Sequence, residues 1–219
     1  MTGYQYINGS YYYFSSNGVM LKNGWAYAKG YKFYFGADGK RLEDVSSILG
    51  KQSSYVIKVN KQTNTVTVYA KDATYGYIIP VKAFICSTGS ATPTGTFYTP
   101  AKYRWHTLMG PCWGQWCTRI TGGVLFHSVY YNSENNNTSL SVSAYNKLGT
   151  TCSHGCVRLT AGDAKWIYDN CSLGTKVIIY SSSDAGPFPK PTASKLPSWH
   201  TWDPTDPNVQ YKCESKGCH

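Results

Sequence analysis

Apolar and polar positions alternate with a period of two in several stretches, which predicts strands. Residues 55–59 and 65–69 alternate on either side of Asn60-Lys-Gln-Thr-Asn64 and read as the arms of a hairpin. A longer apolar run at 77–86 stops at Ser87-Thr88-Gly89, and shorter strands are predicted at 96–98, 119–121 and 124–127. Helical spacing holds over 161–171, where Ala164, Ile167 and Tyr168 or Cys171 share a face. Thr160 is the predicted cap, with Asp163 three residues on in the manner of a capping box. A strand at 176–180 closes the series. The pattern is mainly β with one main helix.

The first 44 residues follow a different rule. Gly9, Phe14 and Gly18 recur 21 positions later as Gly30, Phe35 and Gly39. Each unit is a short aromatic strand between turn signals, Asn8-Gly9 or Lys29-Gly30 before it and Asn17-Gly18 or Asp38-Gly39 after it. A repeat this short cannot bury its own face, so stacked hairpins are expected. Twelve of the 44 residues are aromatic, an excess over core filling. The segment resembles the cell-wall-binding (choline-binding type) repeats of surface proteins. The resemblance implies aromatic cages for choline or sugar, or contact with an anionic wall polymer. Trp25, Tyr12, Tyr13, Tyr34 and Phe35 are the candidate ligand aromatics. Residues 45–53 read as a linker, 54–181 as the main domain, and 182–219 as a Pro-rich irregular tail whose Trp199, His200 and Trp202 pack on the body.

Charge narrows the partners. The chain carries 21 Lys and Arg against 11 Asp and Glu, a net +10. Residues 45–180 hold twelve of the bases and four of the acids, so the excess belongs to the main domain and suits polyanionic surroundings. There is no dense basic run, which argues against nucleic acid. No apolar run is long enough to span a membrane. Eight cysteines favour an oxidising, extracytoplasmic setting, although no apolar leader follows Met1.

The chemistry concentrates in Thr151-Cys-Ser-His-Gly-Cys156-Val-Arg158. A cysteine nucleophile needs an imidazole to take its proton and N–H groups to hold an oxyanion. Upstream, Leu125-Phe-His127-Ser128 sets a histidine at the end of an apolar strand, a rigid place for a general base. Ser153-His154-Gly155-Cys156-Val157-Arg158, the upstream His127-Ser128 and Thr92-Pro-Thr-Gly-Thr-Phe97 together resemble the L,D-transpeptidase catalytic domain (YkuD type) over about residues 55–180.

That resemblance implies an L,D-transpeptidase-type β-sandwich acting on peptidoglycan stem peptides without a cofactor or metal. Cys156 would attack the third stem residue and release the terminal D-alanine, and an acceptor amine would resolve the thioester into a 3→3 crosslink. His127 would be the base, oriented by the Ser128 carbonyl. His154, Gly155 and Cys156 would shape the oxyanion pocket, with Ser153 and Arg158 at the substrate. Carbapenem-type inhibitors would acylate Cys156. An L,D-carboxypeptidase, a 3→3 crosslink hydrolase, or a non-catalytic wall-binding protein are the alternatives. The segment between His127 and Ser153 is longer than the family's usual one, so an inserted loop or lid over 130–138 is expected. His106 is the other candidate base. Excluding Cys156, the expected disulfides are Cys112–Cys117, Cys152–Cys171 and Cys213–Cys218, with Cys86 buried and reduced.

Overall fold

The structure, a computed structural model, describes residues 1–217. It opens with two hairpins, β1 (Gly3–Ile7) with β2 (Ser10–Phe14) and β3 (Gly24–Ala28) with β4 (Tyr31–Phe35). Asn8-Gly9 and Lys29-Gly30 make the turns with positive φ throughout (48° and 82°, 52° and 79°), the mirror-image turn whose twist matches paired strands. A single helical turn, α1 (Ser46–Leu49), follows within the stretch read as a linker.

The main body is a two-sheet sandwich. The five-stranded sheet runs β7 (Gly76–Ile85), β6 (Thr65–Asp72), β5 (Tyr55–Asn60), β13 (Lys176–Tyr180), β8 (Gly95–Tyr98). The four-stranded sheet runs β12 (Val157–Leu159), β11 (Val124–Ser128), β10 (Trp113–Thr121), β9 (Lys102–Thr107). Ile57, Val59, Val66 and Val68 from one sheet meet Ile120, Phe126, Val157 and Leu159 from the other in one core. The principal helix, α3 (Ala161–Asn170), adds Ala164 and Ile167 to it. The predicted β-sandwich with one main helix is what forms.

Thr160 caps α3 as predicted, its Oγ accepting from the Asp163 N–H at 3.2 Å. The two preceding N–H groups are satisfied from far along the chain: Ala161 donates to Asp203 at 2.7 Å and Gly162 to the Thr205 hydroxyl at 2.8 Å. Strand β9 and the first half of β10 were not expected. The side chains of β9 alternate aromatic and cationic groups, and the first half of β10 sets glycine and glutamine between its tryptophans, which blurs the polar–apolar pattern.

The segment inserted after His127 is a second small core rather than a free loop. Tyr131, Leu140 and the short helix α2 (Val142–Tyr145) pack with Ile85, Val129, Leu148 and Leu196. The tail is a strap, and it is more ordered than its prolines suggest. Asn60 holds the Ser182 and Asp184 carbonyls, Arg41 that of Pro187, and Asn146 that of Leu196. The strap ends in a 3-10 turn at Pro207–Val209 and helix α4 (Gln210–Lys216). Trp199, His200 and Trp202 stack on one another, and Trp202 is buried.

The hairpins are fastened to the sandwich. Asp72 accepts from Lys32 at 2.8 Å and from the Tyr27 hydroxyl at 3.1 Å, which holds its carboxyl well below the usual range. Tyr31 stacks on Tyr69. Arg41 is buried, its guanidinium 4.5, 5.0 and 5.1 Å from the rings of Tyr11, Phe33 and Phe188.

Candidate active site

Strand β11 pairs in parallel with β12, setting Phe126 beside Val157 and His127 beside Arg158. Cys156 therefore enters two rows before Arg158, and both line a cavity of about 780 Å³ together with His127. His127 is almost wholly buried (2% exposed). Its Nδ1–H donates to the Ser128 carbonyl at 2.5 Å, so Nε2 keeps its lone pair for a proton. Burial lowers its pKa to about 4, against the support of that hydrogen bond and with the charges of Arg158 and His106 on the same side as burial. The Cys156 thiol is raised by burial and drawn back by the Leu125 backbone and then by Arg158 and Arg119. Its Sγ lies 3.5 Å from the Gly123 carbonyl. Both partners thus rest neutral. A neutral thiol and an imidazole with a free nitrogen line one cavity, an arrangement suited to deprotonation during attack rather than to a standing thiolate.

The loop before Cys156 is fixed by backbone contacts to 87–92. Cys152 and Ser153 both donate to the Thr88 carbonyl, at 2.9 and 3.0 Å. Thr88 N–H is held by Asn64, and Asn64 also reaches the Thr151 hydroxyl. Thr92 Oγ donates to the Gly155 carbonyl at 2.8 Å. Gly89 passes so close that a Cβ there would sit 2.1 Å from the Ser153 carbonyl oxygen. Gly155 has φ +151°, a conformation that L side chains rarely adopt.

Among the residues predicted for the site, His127, Ser153, His154, Gly155, Cys156 and Arg158 all line the cavity. Ser128 touches His127 through its carbonyl, while its hydroxyl accepts from the Gln115 N–H at 3.0 Å. Two details differ from the expectation. Ser153 Oγ accepts from the Gly155 N–H and donates to the Cys156 carbonyl, so it braces the turn, and the Gly155 N–H is committed to it. His106 does line the cavity, but its Nε2 lies 3.3 Å from Arg119 Nη2 and is occupied there.

Sequence reasoning missed Arg119, Tyr130 and Gly114. Arg158 lies over the Tyr130 ring at 5.3 Å. Gly114 lies beneath His127: a Cβ there would be 3.0 Å from His127 Cβ and Nδ1. Its signal was only a glycine inside an unrecognised strand.

Among the described residues no disulfide is formed, neither Cys112–Cys117 nor Cys152–Cys171, and the seven described cysteines are free thiols. Cys112 turns its Sγ to the Met109 carbonyl on the β9–β10 loop, while Cys117 is buried close to Gly114 beside the active site. Cys152 faces the Lys147 carbonyl in a surface loop, whereas Cys171 is buried at the end of α3 and pushed up to about 12. Cys213 accepts from the buried Trp202 Nε1–H at 3.1 Å, and Cys218 lies outside the described residues. Cys86 is buried and reduced, as expected.

The repeat aromatics divide. Tyr13 and Trp25 line a surface cavity with Met20, Leu21, Lys22 and Tyr27. Trp25 and Tyr34 meet edge to face at 5.0 Å and pack on the main core, and Tyr12 is half-buried. Phe35 is fully buried and offers no face to a ligand, which corrects its assignment. Among the described residues no group of three or more His, Cys, Asp or Glu is placed to hold a metal, and no helix is long and apolar enough to cross a membrane.

The model of the "L,D-transpeptidase catalytic domain" family, YkuD, matches residues 54–179, more than half of the chain. The chain belongs to this family. A second model, "Putative cell wall binding repeat", matches residues 2–20. The Bacillus subtilis (strain 168) protein named "Putative L,D-transpeptidase YciB" is 41% identical over 95 residues, which are 41% of this chain and 46% of that protein. A Clostridium acetobutylicum ATCC 824 structure titled as a fused Zn-dependent amidase/peptidase/peptidoglycan-binding domain-containing protein aligns at 28% identity. It covers 58% of this chain and 52% of that one, at a TM-score of 0.43. An L,D-transpeptidase from Mycobacterium smegmatis aligns at 23% identity, covering 58% and 59%, with a TM-score of 0.45. The chain spans about half the length of the curated relative and of the first of these structures.

Proposed function

We propose that this YkuD-family chain is a peptidoglycan L,D-transpeptidase of the cell wall, outside the cytoplasm, that forms 3→3 crosslinks through a Cys156 thioester. The observation that carries this reading is the buried, neutral His127, with Nδ1 tied to Ser128 and Nε2 left for a proton, in one cavity with Cys156. Cys156 Sγ attacks the carbonyl of the third stem residue while His127 Nε2 takes the thiol proton. The N–H groups of His154 and Cys156 face the developing oxyanion, the Gly155 N–H being held by Ser153. The imidazolium then protonates the departing amine of the terminal D-alanine. An acceptor side-chain amine attacks the thioester, returns its proton to His127 and frees the thiol. Arg158 binds a stem carboxylate. Tyr13 and Trp25 contact a wall polymer.

The test is mass spectrometry of the protein with a purified disaccharide-tetrapeptide, beside Cys156→Ala. The expected product is a crosslinked dimer lacking one D-alanine, made by the wild type alone. A tripeptide without dimer would assign the same thiol to a carboxypeptidase. A mass increase on incubation with a carbapenem, absent in Cys156→Ala, is the expected companion result.

A further inference from the structure

The cavity over Cys156 is lined by two arginines and three histidines and by no Asp or Glu. Such a lining calls for an anionic ligand. Among the described residues neither Arg119 nor Arg158 has a carboxylate partner, although five other basic side chains do. Arg158 rests over the Tyr130 ring. Arg119 is held more firmly. Its guanidinium lies 5.3 Å from the Tyr103 ring, Nε donates to the Tyr103 hydroxyl at 3.3 Å, and Nη1 donates to the Gly122 carbonyl. His106, stacked on Tyr103 at 4.4 Å, takes Nη2. Burial and the Arg119 charge lower the His106 pKa, so its ring stays neutral and accepts. Arg119 is thus oriented by neutral groups and its charge is left unanswered.

The sheet register fixes its place. Arg119 pairs with Leu125, and Leu125 precedes the Phe126–Val157 pair, so Arg119, Leu125 and Cys156 lie in one row. Arg119 stands two strand spacings from the nucleophile, roughly 10 Å between Cα atoms. Arg158 stands two residues along the same strand, roughly 7 Å away. In a stem peptide attacked at the third residue, the terminal carboxylate is close to the scissile carbonyl. A carboxylate at the far end of the third residue's side chain is distant from it. The nearer arginine suits the first and the farther arginine the second.

We propose that Arg119 is a specificity-determining residue that binds the side-chain carboxylate of a diaminodicarboxylic third residue, making the cavity prefer that donor over its amidated form. This rests on the transpeptidase reading of the same site. The experiment uses the full chain and two disaccharide-tetrapeptides differing only in whether that side-chain carboxylate is free or amidated, with D-alanine release as the readout. The wild type is expected to favour the free acid. Arg119→Ala should raise KM for the free acid roughly 10- to 100-fold, with kcat within a few-fold, and bring the two donors level. Arg119→Lys, which keeps the charge without the fork, should restore part of the preference and guards against a folding artefact. A wild type that releases D-alanine from both donors equally overturns the proposal alone, as does an Arg119→Ala loss that is the same for both. A wild type inactive on both donors overturns the transpeptidase reading and this inference with it.

Discussion

A histidine whose Nε2 must accept a proton cannot begin the reaction already charged. With its pKa lowered to about 4, His127 is neutral across the physiological range. The acid limb of kcat/KM should therefore fall near pH 4 to 5 instead of near the ordinary imidazole value of ~6.5. Because burial raises the Cys156 thiol, its alkylation by iodoacetamide in the resting protein should still climb above pH 9. A thiol alkylated at full rate at pH 6 would instead reveal a standing thiolate–imidazolium pair. The same histidine makes the fold acid-sensitive. A base whose folded pKa lies below its unfolded value lends stability that is complete above pH ~6.5 and lost as pH falls toward 4. Two glycines set the geometry around the cavity, Gly114 against His127 and Gly89 against the Ser153–Gly155 loop. Gly114→Ala should press on His127 and lower kcat about tenfold with little change in melting temperature. Gly89→Ala, forced against the Ser153 carbonyl, should cost more than ~2 kcal/mol of stability as read by urea denaturation. That Cys156, His127 and Arg158 share one cavity was legible because the chemistry limits which residue types can stand in such a site. Gly114 and Arg119 were not, because only the register of β9, β10 and β11 brings them to the same cavity wall.

At the scale of elements, the hairpin of β5 and β6, the helix and the closing strand followed their periodicity. The strap did not. Six prolines from 187 to 207 advertise irregular chain, and its order comes from single polar contacts spread over the body together with buried anchors at Phe188, Leu196 and Trp202. Asp203 makes one of these contacts. It is fully buried and caps α3 from 42 residues away, with burial pushing its carboxyl up to about 6. Asp203→Ala should destabilise the protein by about 1–3 kcal/mol in urea melts, by leaving the Ala161 N–H unpaired. Ionisation of a buried carboxyl works against the fold, so the stability given by Asp203 is greatest below its unfolded pKa of ~4 and declines as pH rises through 6. Asp203→Asn should flatten that slope. Asp206 continues the connection, accepting from Gln115 Nε2 at 2.6 Å, while the Gln115 N–H donates to the Ser128 hydroxyl next to His127. The cysteines show the opposite lesson. Spacing suggested bridges, but the fold sends Cys112 and Cys152 to surface loops and Cys117 and Cys171 inward.

For the whole molecule, the consequential feature is the parallel pairing of β13 with β5. It joins Val56 to Lys176, 120 positions apart in the sequence. Until residue 180 has left the ribosome, β5 has one partner and one open edge. At ~5–20 residues per second, that interval lasts roughly 6 to 24 s during synthesis. The nascent chain therefore spends its synthesis as an unfinished sheet, and translation rate, rather than local propensity, sets how long that edge can recruit a wrong strand. Chains ended at residue 170 should aggregate on release, and full-length chains should not, as light scattering of the two in a cell-free translation would record.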